Sequence, residues 1–140
     1  MRQLVVSEWL TLDGVFDADT LKQWFEPYDS VDRQQCITEM VLAADAFLVG
    51  RVTYEMLAEY WPNVKNNDKR DLEIANKLNS APKYVVSSTL KKAEWNNSTI
   101  VKGNVADEIT KLKEQPGRDI LLFGSATVVQ SLMEADLIDP

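Results

Sequence analysis

Between Ala44 and Ala58 the chain reads Ala-Asp-Ala-Phe-Leu-Val-Gly-Arg-Val-Thr-Tyr-Glu-Met-Leu-Ala. Ala46 to Val49 is wholly apolar, the pattern of a strand covered on both faces. Gly50 ends the run, and behind Thr53 the residues Tyr54, Leu57, Ala58 and Trp61 recur on one side of a helix. A strand that turns through Gly into a helix aims free backbone N–H groups past the strand's end, which is a ready site for an anion. Arg51 adds a planar cation suited to phosphate, and Thr53 adds a hydroxyl. The plainer alternative is an ordinary strand-to-helix turn with Arg51 in solvent. A Gly-Arg pair is too short to decide between them.

Other features narrow the chemistry. The chain has 140 residues, enough for one domain with a core of its own, and we read residues 1–140 as a single domain. It contains no histidine, which removes Ser-His-Asp and Cys-His hydrolase mechanisms, His-dependent metal sites and the usual general base. The single cysteine, Cys36, excludes an internal disulfide and a multi-Cys zinc site, so no metal centre is expected. Beside Ile37 in a helical stretch, Cys36 reads as packed rather than reactive. A formal charge of −7 argues against nucleic acid, which requires a basic face, but not against a phosphorylated small molecule met by a local cation. No apolar run is long enough to cross a bilayer and no signal-peptide layout opens the chain, so a cytoplasmic location is expected.

Strand and helix patterns alternate. Arg2 to Leu12 reads as a strand interrupted by polar Ser7-Glu8, which either face solvent or line a cleft, and Asp13-Gly14 turns it. Val15 to Ser30 is irregular and rich in aromatics, as in a binding loop, a lid or a cover over the core. Ser30 is placed to cap a helix over residues 31–44, with Cys36, Ile37, Met40, Val41 and Ala44 as its buried stripe. Asn63 to Asp71 is polar and reads as loop, and Leu72, Ala75 and Leu78 mark a modest helix after it. Strands follow at 83–87, 99–102 and 119–123. Helices follow Asn104 and Gly124. The sum is an α/β protein with a largely parallel sheet and helices on its faces.

In such sheets ligands lie beyond the C-terminal strand ends, where the strand order reverses. Three ends here carry phosphate-friendly residues: Gly50-Arg51-x-Thr53, Ser87-Ser88-Thr89 and Gly124-Ser125-Ala126-Thr127. Together they would suit a long ligand with several phosphates, such as a dinucleotide. No Gly-x-Gly-x-x-Gly or Walker A loop is present. Small residues also turn corners with no ligand involved, so these patterns leave binding open.

The Gly-Arg-x-Thr-Tyr-Glu stretch, Lys-Tyr-Val-Val-Ser-Ser-Thr-Leu, and Leu-Leu-Phe-Gly-Ser-Ala before Leu-Met-Glu-Ala-Asp-Leu-Ile-Asp occur in the order and spacing of dihydrofolate-reductase-like proteins. With Thr11-Leu12-Asp13-Gly14 included, the resemblance covers nearly the whole chain. It is closest to the reductase (C-terminal) domain of the riboflavin-biosynthesis deaminase-reductase and its stand-alone relatives. It implies a dihydrofolate-reductase-like fold and an NADPH cofactor. By position, Gly50, Arg51 and Thr53 would meet phosphates, and Ser87, Ser88 and Thr89 would lie along the adenosine. Gly124, Ser125, Ala126 and Thr127 would cradle the pyrophosphate, while Trp9, Asp13 and Gly14 would border the nicotinamide. Lys102 reads as a solvated strand-end charge. The chain departs from the family at Ser125-Ala126, where a further Gly is common, and it lacks the usual C-terminal edge hairpin. Truncation is one expectation there; the other is an open sheet edge covered by a second copy in a homodimer.

The resemblance further implies reduction of a small C=N or C=O compound, in the manner of 5-amino-6-(5-phosphoribosylamino)uracil reductase. For the proton donor, Asp32 and Glu39 are the carboxylates near the family's acid position, neither falling cleanly on it; Glu8 on the first strand is the other candidate, and water is an alternative source. Asp32 in a helix's first turn is also explained by the helix dipole alone. Two other classes stay open: a non-catalytic nucleotide-binding or dimerisation module, and a flavin or pterin carrier using Phe16 to Tyr28.

Overall fold

A computed structural model describes residues 1–17, 19–65 and 68–140. Five strands, β1 (Leu4–Val6), β2 (Ala46–Gly50), β3 (Lys83–Val86), β4 (Ser98–Val101) and β5 (Ile120–Phe123), form one sheet in the order β1-β5-β2-β3-β4. Every pairing is parallel, with Val49 level with Phe123 on one side and with Val85 on the other. The helices are α1 (Leu21–Trp24), α2 (Val31–Ala43), α3 (Arg51–Tyr60), α4 (Lys69–Ser80), α5 (Val105–Glu114) and α6 (Ala126–Glu134). This is the α/β, dihydrofolate-reductase-like architecture expected from the sequence. No described helix is long and apolar enough to cross a membrane.

Period-two alternation divides the core into two layers. Phe47, Val49, Val85 and Leu121 face one side and pack with Val41 of α2, Tyr54 of α3, and Ile74 and Leu78 of α4. Leu4, Ala46, Leu48, Ile120 and Leu122 face the other and pack with Ile109 and Leu112 of α5 and Val128 and Leu132 of α6. All five residues of β2 are buried, which explains why that segment carries no polar side chain. Three helix starts are capped as their sequences predict or allow: Ser30 accepts from Arg33 N–H, Asp68 from Arg70 and Asp71, and Asn104 from Ala106 and Asp107.

Several expectations are corrected. The first strand is shorter than residues 2–12, because its partner β5 ends at Phe123; only Ser7 N–H still reaches Leu122 O, at 3.1 Å. Leu10 and Leu12 beyond it are exposed. Helix α3 begins at Arg51, so Thr53 lies inside its first turn and not before it. Cys36 is exposed and free, since the inward stripe of α2 runs through Ile37 and Val41. The predicted irregular segment 15–30 contains α1 and a 3-10 turn at Glu26–Tyr28; Ala18, which falls in it, lies outside the described residues. The predicted loop 63–71 includes Asn66 and Asn67, also outside them, and its end already belongs to α4.

The base of the sheet is joined by buried cations. Arg2 pairs with Asp45 and donates to Arg118 O at 2.7 Å. Lys113 meets Asp139 at 2.6 Å and Leu137 O at 2.8 Å. Lys83 donates to Leu78 O at 2.5 Å and Ala81 O at 2.8 Å, with its ammonium 4.5 Å from the centre of the Trp95 ring. Burial lowers the Lys83 ammonium from 10.5 to about 8. Between those values the unfolded chain holds more protons than the folded one, so the burial penalty is full below pH 8 and fades above it. Stability should therefore gain a rising component from pH 8 to 10.5. Urea titrations across that window check it, and in Lys83→Met this component should be absent.

Candidate functional site

The strand ends expected to work together do open onto a common cleft. Gly50 and Arg51 after β2, Ser87 to Thr89 after β3, Lys102 after β4, and Ser125 and Thr127 at the start of α6 line a depression of about 710 Å³. The β2 and β5 corners touch, with Gly50 N–H donating to Gly124 O at 3.0 Å. A Cβ on Gly50 would lie 2.9 Å from Ser125 Oγ and 3.2 Å from Ser125 N, so only glycine allows this approach. Gly124 has φ +42°, in the left-handed region that favours glycine, and the Gly124–Ser125 peptide is cis.

Of the three helices that begin at this cleft, α5 is capped by Asn104, whereas α3 and α6 lack a side-chain cap at Gly50 and Ser125. The Ser125 hydroxyl is instead 2.8 Å from that of Thr127. Their N-terminal dipoles therefore face the cleft, where they favour negative charge. Among the described residues, Arg51 and Lys102 are the charged ones on its wall, and no carboxylate lines it. Arg51, held 3.1 Å from Glu55 in the next turn, keeps nearly half of its side chain accessible. Ser87 Oγ accepts from the N–H groups of Thr89 at 3.2 Å and Leu90 at 2.9 Å, which fixes the β3 corner.

A second cavity of about 440 Å³ lies beyond the ends of β1 and β5, sharing Val52 and Ser125 with the first. Its walls are mostly apolar, with Trp9, Ile37, Val41, Met56, Trp61 and Phe123 among them. Trp9 is stacked on Phe25 with ring centres 4.0 Å apart. Glu8 lines this cavity beside Gly124, the chain neighbour of the shared Ser125: a Cβ on Gly124 would be 3.7 Å from both of its carboxylate oxygens and 3.2 Å from Thr53 Oγ1. Its Oε1 is buried and has no hydrogen-bond partner. Burial pushes the Glu8 carboxyl above its usual value, and the Gly124 backbone opposes this in part. A half-buried carboxyl of this kind is equipped to hold a proton and give it up inside a cavity.

A model of the RibD C-terminal domain matches residues 2–140. The chain belongs to that family. It is 27% identical over 138 residues to the uncharacterized protein YyaP of Bacillus subtilis (strain 168), covering 99% of this chain and 71% of YyaP. A crystal structure from Shewanella sp. PV-4, of a protein named for riboflavin biosynthesis, superposes with a TM-score of 0.62 at 21% identity. That match covers 99% of this chain and 73% of the Shewanella chain, and it establishes the fold.

In this RibD C-terminal domain the sequence-derived residues divide between the two cavities. Gly50, Arg51, Ser87, Ser88, Thr89 and Thr127 line the larger one. Trp9, Thr53, Gly124 and Glu8 line the smaller one, and Ser125 belongs to both. Asp13, Gly14 and Ala126 line neither. Asp13 accepts from Thr11 Oγ1 at 2.6 Å in an exposed turn. Asp32 is also outside: it is exposed in the first turn of α2, whose cavity-facing residues are Gln34, Ile37 and Val41. Their spacing marks one helix face, which a sequence shows as core and not as cavity wall. Lys102, read as a solvated charge, lies on the cleft wall, a placement that only the neighbouring strand ends reveal.

The Gly50 contact is directly testable. Gly50→Ala should destabilise the fold by about 1–3 kcal/mol, the usual cost of overpacking, measured by denaturant unfolding. Adding Ser125→Ala should recover part of the loss, because the Ser125 backbone N remains 3.2 Å from the new methyl.

Proposed function

We propose that this protein is an NADPH-dependent reductase that transfers a hydride to a small C=N or C=O substrate. One observation carries the reading: a cleft of phosphate-binding character shares Val52 and Ser125 with an apolar cavity, and the half-buried carboxyl of Glu8 lines that cavity with one oxygen buried and unpartnered. The residues of the cleft fit the cofactor. Two uncapped helix starts and the Arg51 and Lys102 cations suit its phosphates, and Gly50 leaves the space a backbone approach requires. Membership of the RibD C-terminal domain family supports the same assignment.

NADPH, when bound, supplies the hydride. The chain supplies position, exclusion of water and a proton. Trp9, Trp61 and Phe123 hold a flat substrate in the smaller cavity. Glu8, kept protonated to higher pH by its burial, donates to the nitrogen or oxygen of the double bond and regains its proton from solvent. Asp32 is too exposed for that task. The buried, unpartnered Glu8 oxygen favours a catalytic site over a silent binding module, because a module would gain nothing from burying it.

Calorimetric titration with NADPH tests the reading, and absence of binding would sink it. In Arg51→Ala the affinity should fall by about 1.5–3 kcal/mol, roughly 10- to 150-fold in Kd. An unchanged Kd would remove Arg51 from the site. Turnover of small imines and carbonyls should decline as pH rises through the elevated Glu8 pKa, since only the protonated form donates. Glu8→Gln should slow turnover by about 10²–10⁴-fold and flatten that limb of the profile.

A further inference from the structure

Resting on the reductase reading, we infer that Lys102 is the residue by which the larger cleft selects NADPH over NADH, while Arg51 serves the pyrophosphate that both cofactors share. The register of the sheet carries this. Gly50 is level with Val86, and Val86 with Val101, so the three form one row across β2, β3 and β4. Arg51, Ser87 and Lys102 are the residues that follow that row, and each lines the cleft. Neighbouring strands lie about 4.8 Å apart, which puts the end of β4 about 10 Å from β2 and about 14 Å from β5. In the proposed reaction the hydride end of the cofactor has to reach the smaller cavity, which adjoins the cleft at Val52 and Ser125, beside the β2 and β5 corners. The rest of the cofactor then runs across β3 towards β4. Its pyrophosphate falls near Arg51 and the uncapped starts of α3 and α6, and its adenosine end falls near Lys102.

NADPH and NADH differ only in a phosphate on the adenosine ribose. Dinucleotide sites meet a 2′-hydroxyl with a carboxylate and a 2′-phosphate with a cation. Among the described residues no carboxylate lines this cleft, and the β3 corner offers the hydroxyls of Ser87, Ser88 and Thr89, which carry no charge. Charge therefore has to supply the discrimination, and the two cations are not equivalent. Arg51 opens α3 at the β2 corner, and its Nη1 donates to both oxygens of Glu55, at 3.1 and 3.3 Å. Lys102 is exposed and has no ion pair or hydrogen bond among the described residues. The start of α5 beside it is closed, because Asn104 accepts from the N–H groups of Ala106 and Asp107. At that corner the ammonium is the group left to attract an anion. The corner is also open: a Cβ on Gly103 would meet no atom within 4 Å. Of the acids in the first turn of α5, Glu108 is paired with Lys111 at 2.7 Å, and neither it nor Asp107 lines the cleft.

Calorimetric titration with NADP⁺ and with NAD⁺, which differ only in the 2′-phosphate, tests the inference without turnover. The unaltered protein should bind NADP⁺ the more tightly. Lys102→Gln should weaken NADP⁺ about tenfold and change NAD⁺ by less than about twofold, as expected for loss of one charge-assisted contact. Lys102→Arg should keep the preference. Arg51→Ala should weaken both nucleotides by the same factor and leave their ratio as it was. Because Lys102 is exposed, the Gln variant should unfold at the same denaturant midpoint as the unaltered protein, which separates a lost contact from a damaged fold. The inference is overturned if Lys102→Gln weakens both nucleotides alike or neither of them, or if Arg51→Ala alone erases the preference. It is overturned as well if the unaltered protein binds NAD⁺ as tightly as NADP⁺, a result that leaves a reductase in place. Binding of neither nucleotide would instead remove the reductase reading itself.

Discussion

The close approach of two glycine corners is the constraint from which the site follows. Gly50 N–H meets Gly124 O at 3.0 Å; a side chain at Gly50 would strike Ser125, and at Gly124 the φ of +42° favours glycine. The two central strands thus end together, yet the helices leaving them diverge. Helix α3 packs with the layer that contains Phe47 and Val85, and α6 packs with the layer that contains Leu48 and Leu122. Their starts remain neighbours while their bodies separate. The space beyond the sheet is consequently split in two, with Val52 and Ser125 as the shared wall.

The opposite end of the sheet makes such an arrangement affordable. Uncapped helix starts and a carboxyl with one buried, unpartnered oxygen are each unfavourable in isolation. At the base, the buried Arg2, Lys83 and Lys113 each donate to backbone carbonyls, and Arg2 and Lys113 also pair with the carboxylates of Asp45 and Asp139. The Lys83 ammonium lies near the carbonyl end of α4, where a cation is favoured by the helix dipole. Polar satisfaction is concentrated at one end and withheld at the other. A ligand-binding end is where exposed dipoles and an awkward pKa are of use.

Much of the fold is legible along the chain because its elements carry strong local signals. The apolar run at β2, the caps at Ser30 and Asn104, and the Gln115-Pro116-Gly117 stop after α5 each act over a few residues. Where the outcome depends on a partner in space, the sequence is less informative. The length of β1 is set by where β5 stops, and the exposure of Cys36 by which face of α2 meets the sheet. The site shows the same division. Arg51 and the three corners are visible as motifs, while the separation into two cavities depends on tertiary distances. Glu8 and Asp32 look alike as acids near a loop, and only packing against Gly124 distinguishes them.

The two cavities differ in sign as well as in shape. Arg51, Lys102 and two helix starts border the larger cleft, whereas carboxylates dominate the charged groups of the smaller one. In a chain of net charge −7 the positive region is local, and it matches an anionic cofactor without drawing anions across the rest of the surface. The negative region limits the chemistry next door. A hydride brings negative charge to the acceptor, and an acceptor that stayed unprotonated would concentrate that charge among carboxylates. In the proposed reduction, proton donation from Glu8 would therefore precede or accompany the hydride, and the partial burial that raises its pKa would keep that proton available.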